Sequence, residues 1–272
     1  MNQPSKLTRA RALEIASLDR AAGRRKHGQF RIEGWRAVES AMNADAPLLG
    51  VVVRSDVLGD SRLKEFAVGA GGYEVRSLST KAVARLTSVM HDQGILAISE
   101  IPITDRRSLT AARRIVALDA IQDPGNVGTL VRCAAWFGFD AVIAGSGTAD
   151  FYNPKVVRST AGAMWDIDLL TTENLPVELD RLGAAGFEIA AADLTGQHVT
   201  EWKPGEKTVL VLGSEAHGLA DEIRETVGAV ATFLRIDPAP RETARGNAHR
   251  NAGVESLNVA VAGGIIMHRM RM

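Results

Sequence analysis

From about residue 115 onward the chain alternates short runs of Val, Ile, Leu and Ala with stretches of helical spacing. Strands are predicted at 115–120, 141–144, 166–169, 187–192, 208–212 and 229–235. Helices are predicted at about 127–138, 153–162, 175–185, 219–227 and 256–270. Strands that are apolar throughout must be covered on both faces, so this pattern predicts an α/β fold with a parallel sheet between helices.

A smaller α/β pattern precedes it. Helical spacing over 5–27 is followed by a strand and helix around 30–42, and a buried strand is predicted at 49–53. A helix near 63–67, a strand at 73–75, a helix at 81–90 and a strand at 94–99 complete the pattern. Because the chain turns polar after Pro102, we predict an amino-terminal domain at 1–105, a linker at 106–113 and a second domain at 114–272.

Composition excludes several classes of protein. The 32 Lys and Arg residues balance 32 Asp and Glu residues, which argues against a strongly basic nucleic-acid binder, and 46% of residues are hydrophobic, which argues against disorder. No apolar run reaches the roughly 18–20 residues of a membrane span, and the first 25 residues lack the apolar core of a secretion signal. With Cys133 as the single cysteine, neither an internal disulfide nor a cysteine-based zinc site is expected. We therefore expect a cytoplasmic protein with no metal and no membrane partner.

The net charge of zero is a sum of unequal parts. Residues 1–105 carry a net +3 and residues 113–272 a net −5, and the first 40 residues hold nine basic against four acidic side chains. One interpretation is a contact surface for a polyanion. The other is an ordinary solvated helix face.

The first segment with chemical potential follows the predicted strand at 115–120. A Pro-Gly turn comes after the strand, and Asn126 stands where a helix N-cap belongs. The apolar stripe of this helix should pack on the sheet, which leaves Arg132 on another face near the carboxyl ends of the strands. Ligands of open α/β sheets bind at that edge. The alternative is a capped helix with a solvated arginine.

Two later segments reach the same edge. An apolar strand ending at Leu212 runs directly into Gly213, Ser214 and Glu215, where a glycine would let a ligand approach the backbone. The alternative is a turn whose Glu215 stabilises the next helix. Further on, Ser256 suits an N-cap, and Asn258 lies off the apolar stripe of the following helix.

In this order, the three segments resemble the signature motifs of the SpoU/TrmH family of RNA 2′-O-ribose methyltransferases, within the SPOUT class. The matching stretches run from Asn126 to Arg132, from Leu212 to Leu219, and from Glu255 to Ala262. The resemblance covers about 115–270. Residues 28–100 resemble, more loosely, the small RNA-binding domain that often precedes it and that resembles a ribosomal protein.

The resemblance implies a trefoil-knot methyltransferase domain, S-adenosylmethionine as cofactor, RNA as partner and a homodimer. The residues implied for methyl transfer are Asn126, Arg132, Glu215, Ser256 and Asn258. Those implied for cofactor binding are Leu212, Gly213, Ile236 and Leu257. The basic clusters expected to contact RNA contain Arg24, Arg25, Lys26, Arg31, Arg36, Arg241 and Arg245. Arg132 is the family's suggested base, but a guanidinium rarely loses its proton, so a phosphate or oxyanion clamp is the alternative.

The sequence departs from the family after Ile236, where Asp237 intervenes before Pro238 and the stretch 239–253 is longer than expected. This stretch is interpreted either as an RNA-contacting loop or as a flexible insertion. The function expected is 2′-O-methylation of RNA, with rRNA as the substrate. The alternatives are tRNA as the substrate, or a non-catalytic RNA-binding or ribosome-assembly factor on the same fold. A dinucleotide enzyme is disfavoured because no Gly-x-Gly-x-x-Gly follows the first strand of the second domain.

Overall fold

The computed structural model describes residues 5–60, 74–79, 93–228, 230–238 and 256–271. In chain order the strands are β1 (Ser5–Lys6), β2 (Gln29–Glu33), β3 (Leu48–Arg54), β4 (Glu74–Leu78), β5 (Ile95–Glu100), β6 (Arg114–Leu118), β7 (Ala141–Ala144), β8 (Asp168–Thr171), β9 (Glu188–His198), β10 (Thr208–Leu212) and β11 (Thr232–Arg235). The helices are α1 (Arg9–Ser17), α2 (Ala21–His27), α3 (Trp35–Asn43), α4 (Ser108–Ala111), α5 (Pro124–Trp136), α6 (Pro154–Thr160), α7 (Leu175–Ala184), α8 (Asp221–Val227) and α9 (Val259–Arg271).

The chain divides into two compact units. The amino-terminal unit comprises Met1–Ile103 together with Asp150–Asp166, and the carboxyl-terminal unit comprises Thr104–Ala149 together with Ile167–Met272. The segment 150–166, which contains α6, therefore packs in the amino-terminal unit although the predicted domain 114–272 includes it. None of the described helices is long and apolar enough to cross a membrane.

The amino-terminal unit is built on a mixed sheet in the order β1-β4-β3-β5-β2. Strand β5 runs antiparallel to both β3 and β2, whereas β4 is parallel to β1 and β3. The helical stretch predicted at 5–27 is divided into α1 and α2, and a Cβ on Gly23 would lie 2.1 Å from the carbonyl oxygen of Ser17. Only glycine allows that close approach. The helices predicted near 63–67 and at 81–90 lie outside the described residues.

Segment 150–166 contributes to the core of the amino-terminal unit. Phe30 of β2 packs against Tyr152 and Trp165, with ring centroids 4.9 and 6.0 Å apart. Burial beside Asp150 raises the pKa of Tyr152 to about 12, so this phenol stays neutral inside the unit.

The carboxyl-terminal unit contains the predicted parallel sheet, in the order β11-β9-β10-β6-β7-β8. Its central strands β7 and β10 are buried throughout, and β6 is buried from Ile115 onward, as their apolar runs predict. Leu118 pairs with Leu212, so the carboxyl ends of β6 and β10 lie side by side. The knot implied by the resemblance stays a prediction, because residues 239–255 lie outside the described part of the chain.

Two helix starts correct the sequence-based expectation. Helix α5 begins at Pro124, and its N-cap is Asp123, whose carboxylate accepts hydrogen bonds from the amides of Gly125 and Asn126. Asn126 is thus in the first turn rather than at the cap, since proline suits the first helical position. Helix α9 begins at Val259 and not at Ser256.

Candidate active site

Side chains from the three predicted segments meet at the carboxyl edge of the parallel sheet. The amide nitrogen Nδ2 of Asn126 donates to Glu215 Oε1 at 2.9 Å. The Nδ2 of Asn258 donates to the same oxygen at 2.6 Å and to Asn126 Oδ1 at 3.1 Å. These contacts close a triangle, which we call the Asn-Glu-Asn triangle. It joins α5, the loop after β10 and the start of α9.

Asn258 is held in one orientation by helix α9. Its Oδ1 accepts hydrogen bonds from the amides of Ala260 at 3.0 Å and Val261 at 3.3 Å, which is the contact pattern of an N-cap. Because the side-chain oxygen faces the helix, the Nδ2 group must face the other way. Asn258 therefore has a structural role and a polar group directed at Glu215.

Glu215 lies in a tight loop that follows β10. The amide of Gly218 donates to the carbonyl of Ser214 at 2.8 Å, and the amide of Ala216 donates to Ser214 Oγ at 3.2 Å. Gly218 has φ +70°, a conformation that favours glycine, and a Cβ on Gly213 would lie 2.4 Å from the backbone of Gly218. The two glycines thus let the turn close on itself.

The start of helix α9 also contacts the Glu215 carboxylate. The amide of Val259 donates to Glu215 Oε1 at 3.2 Å, so this oxygen receives three hydrogen bonds in all. The exposed amides of a helix N-terminus stabilise negative charge. Oε2 receives none from the described part of the chain, which leaves it able to accept a further donor.

Arg132 and Ser256 are not part of the triangle. Arg132 lies on the exposed face of α5, about 9 Å further along the helix axis than Asn126. Within the described ranges its guanidinium makes no hydrogen bond or ion pair. Ser256 is exposed and does not cap α9, because Asn258 occupies that position.

The residues expected to bind the cofactor follow the ends of two strands and precede α9. Leu212 is fully buried, with Gly213 directly after it. Ile236 is half-buried after β11, and Leu257 is 44% exposed beside Asn258. To the extent that the structure describes their surroundings, the amides of Gly213, Ile236 and Leu257 donate no hydrogen bond. Free backbone donors next to apolar side chains suit a ligand with a polar heterocycle.

Strand β9, which lies between β10 and β11, carries an exposed apolar residue that was not predicted from the sequence. Its pairing with β11 skips from Ala191 opposite Phe233 to Gln197 opposite Leu234, so the residues between them form a bulge. Leu194 at this bulge is 67% exposed. An apolar side chain in an otherwise polar stretch at the end of a strand is the signal that would have identified it.

Two of the arginines predicted to contact RNA are buried, which corrects that expectation. Arg24 is 2% exposed and forms an ion pair with Asp150 at 2.6 Å, and it also donates to the carbonyl of Leu18. Arg31 is 2% exposed and pairs with Asp19 and Glu33. Burial lowers the pKa of Arg31, and its two acidic neighbours counteract this effect.

The other basic residues predicted to contact RNA are either exposed or outside the described part of the chain. Arg25 and Lys26 of α2 and Arg36 of α3 are exposed, so RNA contact by these residues stays a prediction. Arg241 and Arg245 lie outside the described residues.

An open groove of about 520 Å³ lies between α5 and α9. Its lining contains Thr129, Cys133, Phe137, Val261, Ile265 and His268, together with Asn126 and Asn258 at one end. No charged Lys, Arg, Asp or Glu side chain lines it among the described residues. Burial raises the pKa of the Cys133 thiol, so the thiol stays protonated near neutral pH.

The carboxyl-terminal unit has a parallel sheet with a polar site at its carboxyl edge, which is where α/β proteins bind ligands. The amino-terminal unit adds a helix with exposed basic residues. Together these features define a class of ligand-binding protein. Comparison with known proteins identifies the class more closely. Residues 113–237 match the SpoU rRNA Methylase family, and residues 11–97 match the MRM3-like substrate binding domain. The chain is 32% identical over 249 residues to the 23S rRNA (guanosine(2553)-2′-O)-methyltransferase of Bacillus subtilis, which covers 91% of this chain and 90% of that protein.

Solved structures show the same fold. A crystal structure of an rRNA methyltransferase from Sinorhizobium meliloti has a TM-score of 0.80 at 25% identity, covering 98% of this chain and 96% of that one. The SpoU methyltransferase AviRb from Streptomyces viridochromogenes, solved in complex with the cofactor AdoMet, has a TM-score of 0.84 at 20% identity and covers 97% of each chain. The protein therefore belongs to the SpoU methylase family.

Proposed function

We propose that this protein transfers a methyl group from S-adenosylmethionine to a ribose 2′-hydroxyl in ribosomal RNA. The observation that carries the proposal is the Asn-Glu-Asn triangle, in which one residue from each of the three family segments contacts the other two. A module that only binds RNA has no need of a fixed carboxylate where the three segments meet.

Methyl transfer depends more on aligning the ribose 2′-oxygen with the methyl group than on a strong general acid or base. S-adenosylmethionine, when bound, supplies a methyl group made electrophilic by a sulfonium. The protein has to hold a ribose 2′-oxygen in line with that methyl group, and positioning of this kind lowers barriers strongly. The triangle is rigid because Asn258 is fixed by α9 and Glu215 by its own loop. Glu215 Oε2 is left to accept a hydrogen bond from the ribose hydroxyl or from Arg132. As the oxygen–methyl bond forms, the sulfur–methyl bond would break, S-adenosylhomocysteine would leave, and the hydroxyl proton would pass to Glu215 Oε2 or to solvent.

We assign Arg132 to RNA binding and charge stabilisation rather than to proton abstraction. Its exposed position and its lack of an ion pair with any described residue leave the guanidinium able to reach a phosphate. A guanidinium stays protonated at neutral pH and binds phosphate through two parallel hydrogen bonds. It can then stabilise negative charge that develops on the 2′-oxygen.

The cofactor is proposed to lie beside the carboxyl ends of β9, β10 and β11. The amides of Gly213, Ile236 and Leu257 would bind its polar atoms. The exposed side chains of Leu194 and Leu257 would pack against its apolar surface. The solved AviRb complex supports the choice of cofactor through its shared fold.

Ribosomal RNA is favoured as the substrate class because of the extent of the match. The Bacillus subtilis relative is named for a guanosine in 23S rRNA, and the similarity includes both units of this chain. The exposed cations Arg25, Lys26 and Arg36 supply positive charge on the amino-terminal unit. Phosphate contacts of this kind position RNA without selecting its sequence.

A second copy of this chain is proposed to cover the groove between α5 and α9. Trp136 is 77% exposed, Val261 51% and Ile265 40%, although all three are large and apolar. An uncharged apolar strip of this kind is typical of homodimer interfaces. The groove ends at Asn126 and Asn258, so a dimer would bring the partner close to the site.

The test is methyl transfer in vitro with the purified full-length protein. Incubation with S-adenosylmethionine labelled in the methyl group and with rRNA from cells lacking the gene should label rRNA at one nucleotide. The labelled position should resist alkaline cleavage, because methylation removes the nucleophilic 2′-hydroxyl. Labelling of tRNA alone would show that the substrate is tRNA and not rRNA. Absence of methyl transfer to any cellular RNA would refute the proposed activity.

A further inference from the structure

Asp119 is a buried carboxylate, 7% exposed, that follows β6 and has no part in the Asn-Glu-Asn triangle. Its backbone amide donates to the carbonyl of Leu212 at 2.9 Å. Its side-chain Oδ2 accepts a hydrogen bond from the amide of Ala220 at 2.7 Å. One residue therefore binds both ends of the loop 213–220, which carries Glu215.

The chain around Asp119 is fixed on its other side as well. Ala120 has φ +52°, a strained conformation for a residue with a side chain, and Gly147 packs close to its Cβ. Thr148 Oγ1 donates to the carbonyl of Leu118 at 3.0 Å and accepts from the amide of Ile121 at 3.3 Å. The backbone on both sides of Asp119 is thus held by residues outside the loop 213–220.

From these contacts we infer that Asp119 is a positioning residue for methyl transfer, which acts by holding loop 213–220 so that Glu215 meets Asn126 and Asn258. The inference rests on the proposed function. Asp119 accepts a hydrogen bond from Ala220, which lies five residues after Glu215, and it donates one to Leu212, which lies three residues before Glu215. Loss of the Ala220 bond frees one end of the loop, while the internal turn between Ser214 and Gly218 remains.

The chain offers a matched control in Asp140. Its Oδ2 accepts hydrogen bonds from the amides of Arg113 and Arg114, both at 2.8 Å, at the start of β6. Asp119 and Asp140 therefore both bind backbone amides beside the same strand, but at opposite ends of it. A loss of stability alone should affect both variants, whereas a loss of positioning should affect only Asp119.

The experiment compares wild type, Asp119→Ala, Asp119→Asn and Asp140→Ala in steady-state methyl transfer, thermal unfolding and amide hydrogen exchange. Asp119→Ala should lower kcat by about 10- to 100-fold with KM for RNA changed much less, because small misplacements of catalytic groups cost this much. Asp119→Asn keeps an acceptor oxygen and should restore most of kcat. Exchange in residues 213–220 should rise in Asp119→Ala and not in Asp140→Ala.

Ala220→Pro gives an independent route to the same bond if Asp119→Ala does not fold. Ala220 has φ −59°, which proline adopts, and the substitution removes the donor while leaving the carboxylate in place. Its kcat should fall like that of Asp119→Ala. The inference is overturned if wild type is active and the Asp119 variants lose no more kcat than Asp140→Ala, or if Asp119→Asn is as impaired as Asp119→Ala. An inactive wild type refutes the proposed function instead, and the exchange measurement then still decides whether Asp119 holds the loop.

Discussion

Asn258 combines two tasks that a single substitution can separate. Its oxygen caps α9, and its nitrogen donates to Glu215 and Asn126. Serine caps helices about as well as asparagine does but has no amide group. In Asn258→Ser we therefore expect a thermal midpoint within a few degrees of wild type and a fall in kcat of about 100-fold, as found when a preorganised donor is lost.

Asn258→Ala serves as the comparison, since it loses both the cap and the donor. It should be destabilised by about 1 kcal/mol in denaturant unfolding in addition to losing activity. If Asn258→Ser retains wild-type kcat, the amide nitrogen has no role in the reaction.

Arg132→Lys tests whether guanidinium geometry matters. Lysine keeps the charge but loses the two parallel hydrogen bonds to a phosphate. We expect an increase in KM for RNA and a fall in kcat of less than about 10-fold, because the charge that stabilises the developing alkoxide remains. Steady-state kinetics over pH 6–9 provides the measurement. Loss of all activity in Arg132→Lys would instead favour a strict need for the guanidinium, which includes the role of a base.

Among individual residues, the three side chains of the Asn-Glu-Asn triangle were predicted from the sequence to lie together, whereas their neighbours were predicted less well. Asn126, Glu215 and Asn258 could be picked out only because their three segments together resemble the family motifs, since a polar residue after a strand or before a helix is common on its own. Asp123 as the cap of α5 was missed although an Asp-Pro pair is a common helix start. The burial of Arg24 and Arg31 could not be read from the sequence, because each has an acidic partner outside its own element: Asp19 is 12 residues from Arg31, and Asp150 is 126 residues from Arg24.

Among the secondary-structure elements, α2 provides a comparison of two adjacent arginines. Arg24 is buried and paired with Asp150, whereas Arg25 is exposed. We expect Arg24→Ala to lower the free energy of unfolding by about 2–3 kcal/mol, with a discount because Asp150 is partly exposed. Arg25→Ala should leave stability unchanged and weaken RNA binding. It should also reduce the slope of log K against log salt concentration by about 1, the value expected for the loss of one phosphate contact.

Denaturant unfolding and RNA titrations at several salt concentrations measure both effects. A stability loss for Arg25→Ala equal to that for Arg24→Ala would contradict the assignment of these two side chains.

The strands were predicted more reliably than the packing of α6. All six strands predicted for the second domain are present in the parallel sheet, and the central ones β7 and β10 are continuous apolar runs between polar turns. Segment 150–166 gave no signal that it packs with residues far earlier in the chain. Gly162 shows what this packing requires, since a Cβ there would lie 2.2 Å from Ser40 Oγ. Contacts of such long sequence separation leave no periodic pattern.

For the molecule as a whole, the net charge of zero is the sum of a basic amino-terminal part and an acidic carboxyl-terminal part. Exposed cations lie on the amino-terminal unit, and the carboxyl-terminal part of the sequence is acidic. RNA binding should then depend on a few local contacts and on the shape of the RNA rather than on bulk attraction. The predicted knot would be a property of the whole chain path, and local sequence patterns do not encode it.

The proposed dimer gives a prediction at this scale. Ile265→Glu places a charge in the groove between α5 and α9 and should convert the dimer into monomers, because an unpaired charge in an apolar interface is costly. Val177→Glu on α7 is the matched control, since Val177 is 59% exposed and lies outside the groove. Light scattering after gel filtration gives the mass. A wild-type protein that is monomeric at micromolar concentration would contradict the dimer.

The most direct test of the proposed function is a transcriptome-wide map of ribose 2′-O-methylation in cells with and without this gene, complemented with wild type or Asn258→Ser. We predict that one ribose in rRNA is methylated with wild type, and that it is unmethylated in the deletion strain and nearly so with Asn258→Ser. Identical maps in all strains, or a lost modification that lies on a base rather than a ribose, would contradict the assignment of this protein as an rRNA 2′-O-methyltransferase.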